Sequence, residues 1–285
     1  MATVASPRSA RHAPAARTVM RAALFALALL LMMLPIIAFF YWMLLISLRS
    51  DIINNAYPPH FLPRNLTLKN YKQVLEDNNI LRDGLNSLVV AVGSTAIGLL
   101  LGVPAAYSIA RWRQQRLALA ILIARIIPAI SFLVPWYILF SRAQLVDTYI
   151  ALIVTHLIVA LPLITWIMIG FFEDLPPELE ESARIDGCSL FGAFLRIAVP
   201  LARPGIIAAT IISFIFSWNN FIFSVVLAGS KTRTLPLAAF KLLNFASFSF
   251  GTLTATAVLI TLPIIVLALI VQRYLVAGLT IGGVK

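Results

Sequence analysis

One cysteine, Cys188, stands among the 285 residues, so no internal disulfide can form and a thiol-based metal site has nothing to build on. Histidine is scarce as well: His12, His60 and His156 lie far apart, and none pairs with another at metal-ligand spacing. Acids are few, eleven Asp and Glu against 22 Lys and Arg. Charged residues make up only 12% of the chain while 61% is hydrophobic, a balance that excludes an ordinary soluble domain. The net charge of +11 is spread over both flanks of the apolar blocks rather than gathered on a basic, aromatic-interleaved domain. It therefore points to anionic membrane lipid and argues against nucleic acid.

What is abundant is long apolar sequence. A hydrocarbon core of about 30 Å needs about 20 apolar helical residues per crossing, and six blocks qualify: residues 22–48, 86–110, 117–140, 148–172, 205–228 and 252–274. The first block is too long for a leader core and runs straight into "WMLLISLRSD", so it reads as a retained span. Six crossings put both termini on one face. Arg8, Arg11, Arg17 and Arg21 before the first block, with Arg111, Arg113 and Arg116 between the second and third, place that face in the cytoplasm. The opposite face holds Arg49, Arg64, Lys69, Lys72, Arg82, Lys231, Arg233 and Lys241. Residues 1–20 are too polar to bury a core and are expected to be disordered, leaving 21–285 as the folded unit.

The blocks offer little chemistry. Arg125 is the only charged side chain well inside one, placed either to snorkel to the interface or to pair across the bundle. No carboxylate lies in a block interior, which argues against a carrier driven by protons or sodium. "AGSKTRT" lacks the leading glycine and the spacing of a phosphate-binding loop, so it supplies no nucleotide site. Gly98 and Gly102 sit one turn apart, as at close helix contacts in lipid, either within the chain or between subunits. In "ISFIFSWNNFIFS", Ser213, Ser217, Trp218, Asn219, Asn220 and Ser224 either fix the bundle by hydrogen bonds or line a path for a polar solute.

Residues 175–203 break the apolar pattern. Pro176 and Pro177 start a short helix whose dipole Glu178 complements, Gly187 allows a turn, and Ser189 caps a second helix. Glu178, Glu180, Glu181 and Asp186 collect there between two apolar blocks, where something outside the lipid must meet them.

That stretch, "EESARIDGCSLFGAFLRIAVPLARP", closely resembles the cytoplasmic EAA loop of binding-protein-dependent ABC importer permeases. Glu181, Ser182 and Ala183 stand at the Glu-Ala-Ala positions, Asp186 and Gly187 at the Asp-Gly, and Ile197 and Pro200 in the trailing part. "NYKQVL", "LNSLVVA", "PAAYSIAR", "SWNNFIFS" and "QRYLVAGLTIGGVK" are similar to the maltose-type carbohydrate subfamily, extending the resemblance over residues 66–285. Ser182 and Cys188 are mild departures, and Asn220 stands where the subfamily often has an acid.

The resemblance implies an all-α polytopic protein with six transmembrane helices and a coupling-helix loop between the fourth and fifth. It implies a bacterial or archaeal cytoplasmic membrane and both termini in the cytoplasm. It also implies a second permease subunit completing a heterodimer, two ATPase subunits that carry ATP and Mg2+ while this chain binds no cofactor, and an extracytoplasmic solute-binding protein. Glu181, Ser182, Ala183, Asp186, Gly187, Leu190, Phe191 and Phe194 would couple to the ATPase, and Gly282 and Gly283 would touch it from the C-terminal tail. Ser217, Trp218, Asn219 and Asn220 are the candidate solute path. The expected role is a non-enzymatic permease for a sugar, sugar alcohol or related polyol. A self-contained secondary carrier would need buried titratable groups, and a membrane-embedded enzyme would need a dyad or metal cluster at one interface.

Overall fold

Helix forms along the apolar blocks, because in lipid the backbone has no other way to satisfy its polar groups, and it runs on through Pro35, Pro104, Pro162 and Pro263. The computed structural model describes residues 13–77, 79–124, 126–243 and 249–281, and among them every regular element is helical. The first block gives α1 (Ala13–Ser47), which begins inside the segment expected to be disordered. A turn, α2 (Asp51–Asn54), and an amphipathic helix, α3 (Lys69–Asp77), follow. Val74 of α3 is fully buried, in line with the apolar spacing of the loop. Next come α4 (Ile80–Arg111), α5 (Gln115–Ala124), α6 (Leu133–Arg142) and α7 (Tyr149–Glu173). Beyond them lie α8 (Glu178–Ile185), α9 (Leu190–Ala193), α10 (Val199–Leu201), α11 (Arg203–Trp218), α12 (Ile222–Leu227), α13 (Leu235–Leu242) and α14 (Phe250–Ile281).

Among the described residues, four helices are long and apolar enough to cross a membrane: α1, α4, α7 and α14. A fifth crossing appears if Leu190–Leu201 and Arg203–Trp218, bent by 74°, count as one. The third and fifth apolar blocks are not single helices. Pro128 cannot donate a backbone hydrogen bond and disfavours helix at the residue before it; Ile126 and Ile127 are outside regular helix, and a short 3-10 turn at Ala129–Phe132 precedes α6. In the fifth block the two asparagines compete with the helix for backbone groups. Asn219 Nδ2 donates to Ile215 O at 3.0 Å and Asn220 Oδ1 accepts from Phe223 N at 3.3 Å, ending α11 and starting α12. Arg125, Gly282 and Gly283 lie outside the described residues.

The centre of the bundle is α4 against α7, with α11 packed on both and α14 bridging α11 to α1. Small residues permit the central contact: a Cβ on Gly98 would sit 2.7 Å from Ile164 Cδ1, and one on Gly102 3.0 Å from Ile164 Cγ2. The glycine pair thus serves packing within the chain. Gly98→Ile should wedge α4 from α7 and destabilise the bundle by about 1–3 kcal/mol, as overpacking does, while Gly98→Ala needs only a shift of the flexible Ile164 tip. The thermal midpoints of the two purified variants in detergent check this, and equal midpoints would refute it.

At the end where α4 begins, its buried polar residues hold the chain between α12 and α13. Arg233 Nε donates to Asp83 Oδ2 at 2.8 Å, Asn86 Nδ2 donates to Lys231 O and Arg233 O, and Leu235 N donates to Ser87 Oγ. Asp147 adds a second clamp. Its carboxylate accepts from Gly229 N at 2.9 Å, Lys231 N at 3.2 Å, and Thr232 N and Oγ1 at 2.9 and 2.8 Å. "AGSKTRT" therefore does cradle an anion, and the anion is the chain's own carboxylate.

Partial burial pushes the Asp147 carboxyl up, but the Thr232 hydroxyl and the three backbone amides outweigh it and hold the group below its ordinary value. A depressed carboxyl stabilises the fold only while ionised. Its contribution is complete above the unfolded value of about 3.9 and is lost as pH falls through the lower folded value. Asp147→Ala should lower the thermal midpoint at neutral pH, with the gap to wild type closing as the pH drops below that range. A gap that stays constant into acid would show that the charge is not what holds the loop.

Candidate functional site

The other end of the bundle is built where α4 and α7 finish and α8 to α10 fold back. Helix α8 carries Glu178, Glu180 and Glu181 in its first turn, the favourable end of the helix dipole for acids. It closes at Gly187, whose φ is +91°. Gly187 N donates to Arg184 O at 3.1 Å and Cys188 N to Ala183 O at 3.0 Å, a paired bonding that satisfies the terminal carbonyls of α8. Ser189 Oγ then accepts from Gly192 N at 3.1 Å and caps α9.

The three acids of α8 do not share a surroundings. Glu178 and Glu181 are exposed, whereas Glu180 is 7% exposed. Glu180 Oε2 accepts from the Tyr107 hydroxyl at 2.5 Å, and Oε1 accepts from Arg111 Nε at 2.8 Å and Nη2 at 2.5 Å. Arg111 Nη1 also donates to Phe172 O and Leu175 O, at 3.0 and 3.1 Å, where α7 runs out of intrahelical partners. The sequence reading missed this cluster. Its signal was "YSIAR", which puts Tyr107 and Arg111 four apart on one helix face.

The apolar residues of the loop divide in two. Ile185, Leu190 and Phe191 are 86%, 44% and 67% exposed, and among the described residues nothing covers them as a face. Phe194, expected on that face, instead turns inward at 6% exposure, its ring 4.7 Å from Tyr107 and 6.4 Å from Phe172. The reason is its place in the packing: where α9 passes into the π-helical turn over Phe194–Ala198, the Phe194 ring fills the space between Tyr107 and Phe172. Ile185 was not anticipated; it takes the outward place. Ser182 Oγ donates to Glu178 O within α8, Ala183 is half-buried, and Asp186 is exposed at the turn. Glu181, Arg184, Ile185, Cys188, Ser189 and Leu190 line an open hollow of about 530 Å³ beside this face.

The candidate solute-path residues scatter. Ser217 is buried, its Oγ 2.7 Å from His156 Nδ1 and 2.9 Å from Ser94 Oγ, which joins α11 to α7 and α4. Trp218 is buried and its Nε1 donates to Ile260 O at 3.1 Å, tying α11 to α14. Asn220 is half-buried at the helix break, and Asn219 alone is exposed. His156, unpaired in the sequence reading, thus has Ser217 as its partner. Among the described residues no group of three His, Cys, Asp or Glu is placed to hold a metal.

Residues 98–281 match the family described as binding-protein-dependent transport system inner membrane component. The trehalose transport system permease protein SugB of Mycobacterium tuberculosis is 34% identical over 86% of this chain and 90% of its own length. The sulfoquinovosyl glycerol transport system permease protein SmoH of Agrobacterium fabrum is 33% identical over 86% of this chain and 87% of its own. In the solved structure of a bacterial ABC transporter involved in the import of the acidic polysaccharide alginate, one chain superposes with a TM-score of 0.73. It is 21% identical, and the match covers 94% of this chain and 99% of that one.

Proposed function

Because the chain belongs to the family of inner membrane components of binding-protein-dependent transport systems, we propose that it forms half of the pathway of an ATP-driven carbohydrate importer and couples that pathway to a cytoplasmic ATPase. Family membership makes it a multi-pass permease, a transporter subunit rather than an enzyme. Its cargo is a sugar, sugar alcohol or related polyol, a reading supported by the named cargoes of the trehalose and sulfoquinovosyl glycerol relatives. Its partners are a second permease, two ATPases binding ATP and Mg2+, and an extracytoplasmic binding protein. Six crossings result if the α5–α6 pair and the α11–α12 pair each make one, with both termini in the cytoplasm.

The observation that carries the reading is the open apolar face of Ile185, Leu190 and Phe191, held on a capped turn at a fixed place on the bundle. Large apolar side chains beyond the membrane ends, beside exposed Glu181 and Asp186, suit a docking surface for a soluble protein. Gly282 and Gly283 form the tail that reaches the same ATPase pair. Of the four candidate solute-path residues, Asn219 is the exposed one and the one we assign to the solute.

Purification in mild detergent followed by mass spectrometry should return an ATPase, a second permease and a sugar-loaded binding protein. Proteoliposomes of that complex should take up the sugar only with ATP. Uptake by this chain alone on a sodium or proton gradient would replace the proposal with a secondary carrier.

A further inference from the structure

We propose that Tyr107, Arg111 and Glu180 are positioning residues for coupling: a strut that makes α8 move as one body with α4 and α7. The inference rests on the docking role proposed above and goes beyond it by naming the route that force takes inside this chain.

Two features single out the cluster. Glu180 is buried on a helix whose neighbouring acids face water. Burying an ion pair costs solvation that its attraction barely offsets, so stability alone is a poor reason for placing a charge there. What the pair does supply is geometry. Arg111 grips Glu180 through two nitrogens and Phe172 O and Leu175 O through a third, and Tyr107 meets the second oxygen of the carboxylate. One guanidinium therefore ties the end of α4, the end of α7 and the first turn of α8 together. Both Arg111 nitrogens converge on Oε1 while Tyr107 takes Oε2, so directional charge-assisted bonds hold the carboxylate at both of its oxygens and oppose its sliding or turning.

The strut is needed because the covalent link holds α8 to α7 at one end only. Between α7 and α8 run only four residues, Asp174 to Pro177, outside regular helix. A pull on the exposed face of α8 and α9 would otherwise be absorbed there. With the strut in place it reaches α4 and α7 together, and these two are already locked by the contact at Gly98 and Gly102. Tyr107 extends the connection to α9 through its ring on Phe194.

The test uses the assembled transporter and Cys188, the one cysteine of the chain, which lies at the α8–α9 turn and accepts a nitroxide without background. Glu180→Ala removes the strut, Glu180→Gln keeps the shape and one acceptor oxygen without the charge, and Tyr107→Phe drops one hydroxyl while keeping the ring. In Glu180→Ala the label on the full chain in nanodiscs should gain mobility. In the complex, ATPase retention and hydrolysis should persist while sugar taken up per ATP falls about tenfold, inside the range of about two- to thirtyfold for residues that transmit coupling without touching a ligand. Glu180→Gln should recover most of the ratio, and Tyr107→Phe should lose only part of it. If Glu180→Ala does not assemble, the graded order of the other two decides. An unchanged ratio in Tyr107→Phe and Glu180→Gln alike, or an unchanged ratio despite a mobile label, overturns the strut. Failure of the wild-type chain to retain any ATPase would overturn the docking reading itself, and the strut with it.

Discussion

Gly187→Val is expected to leave the helical bundle intact and to separate ATP hydrolysis from sugar uptake. The residue has φ +91°, and a Cβ built there meets nothing within 4 Å. The penalty is thus confined to the backbone, of order 1–3 kcal/mol for an L residue forced into this region. Relief comes only by changing the turn, which breaks the pair of bonds from Gly187 N and Cys188 N that ends α8 and sets the direction of α9. The exposed face would then point elsewhere while α4, α7 and α11, which make no use of the turn, stay packed. Gly187→Asn is the control, because asparagine enters left-handed conformations more readily than a β-branched residue. Hydrolysis, uptake and ATPase retention should be measured on one preparation of each variant. Normal values for all three in Gly187→Val would remove the turn from the coupling path.

Phe191→Asp should release the ATPase. The ring is 67% exposed and the neighbouring Ile185 86%, so a charge at Phe191 costs the isolated chain little. In a docked complex the same charge would replace an anchor in a desolvated pocket. Loss of an aromatic anchor typically costs at least about 2 kcal/mol of binding, roughly thirtyfold, and an unpaired buried carboxylate adds to this. Phe194→Asp makes the contrast: Phe194 is packed on Tyr107 and Phe172, so it should lower expression and the thermal midpoint of the chain itself. ATPase retained on size-exclusion chromatography, with yield and midpoint of the permease alone, separates the two effects. Full retention in Phe191→Asp would mean that the face docks something else or nothing.

The turn of the loop was legible because it is local. Proline at the start of α8, glycine at its end and serine before α9 each act within a few residues, and the structure has all three where the sequence places them. The breaks in the third and fifth blocks were only half legible: Pro128 and the Asn219–Asn220 pair are visible, but Pro35, Pro104, Pro162 and Pro263 are equally visible and their helices run on unbroken. Hydropathy misses the breaks because it counts apolar side chains, while helix continuity depends on backbone donors and acceptors. Glu180 was not legible at all: nothing distinguishes it from Glu178 or Glu181 until Arg111, 69 residues away, is beside it. The same holds for Ser217, whose partner His156 is 61 residues distant.

By itself the sequence determined the class of molecule, an all-helical membrane protein with an amphipathic loop at 175–203 set between apolar blocks. Those properties follow from composition and from the period of the helix, which each segment of chain carries alone. Only the tertiary structure decided which side chains of that loop face out and which face in: Ile185 and Phe191 to the open side, Phe194 and Glu180 to the bundle. It also gave Gly98 and Gly102 to the contact between α4 and α7, and the "AGSKTRT" amides to Asp147. The physical reason is that a side chain's burial is set by what the rest of the chain brings to it, and those partners arrive from helices that are remote in sequence and adjacent only once packed.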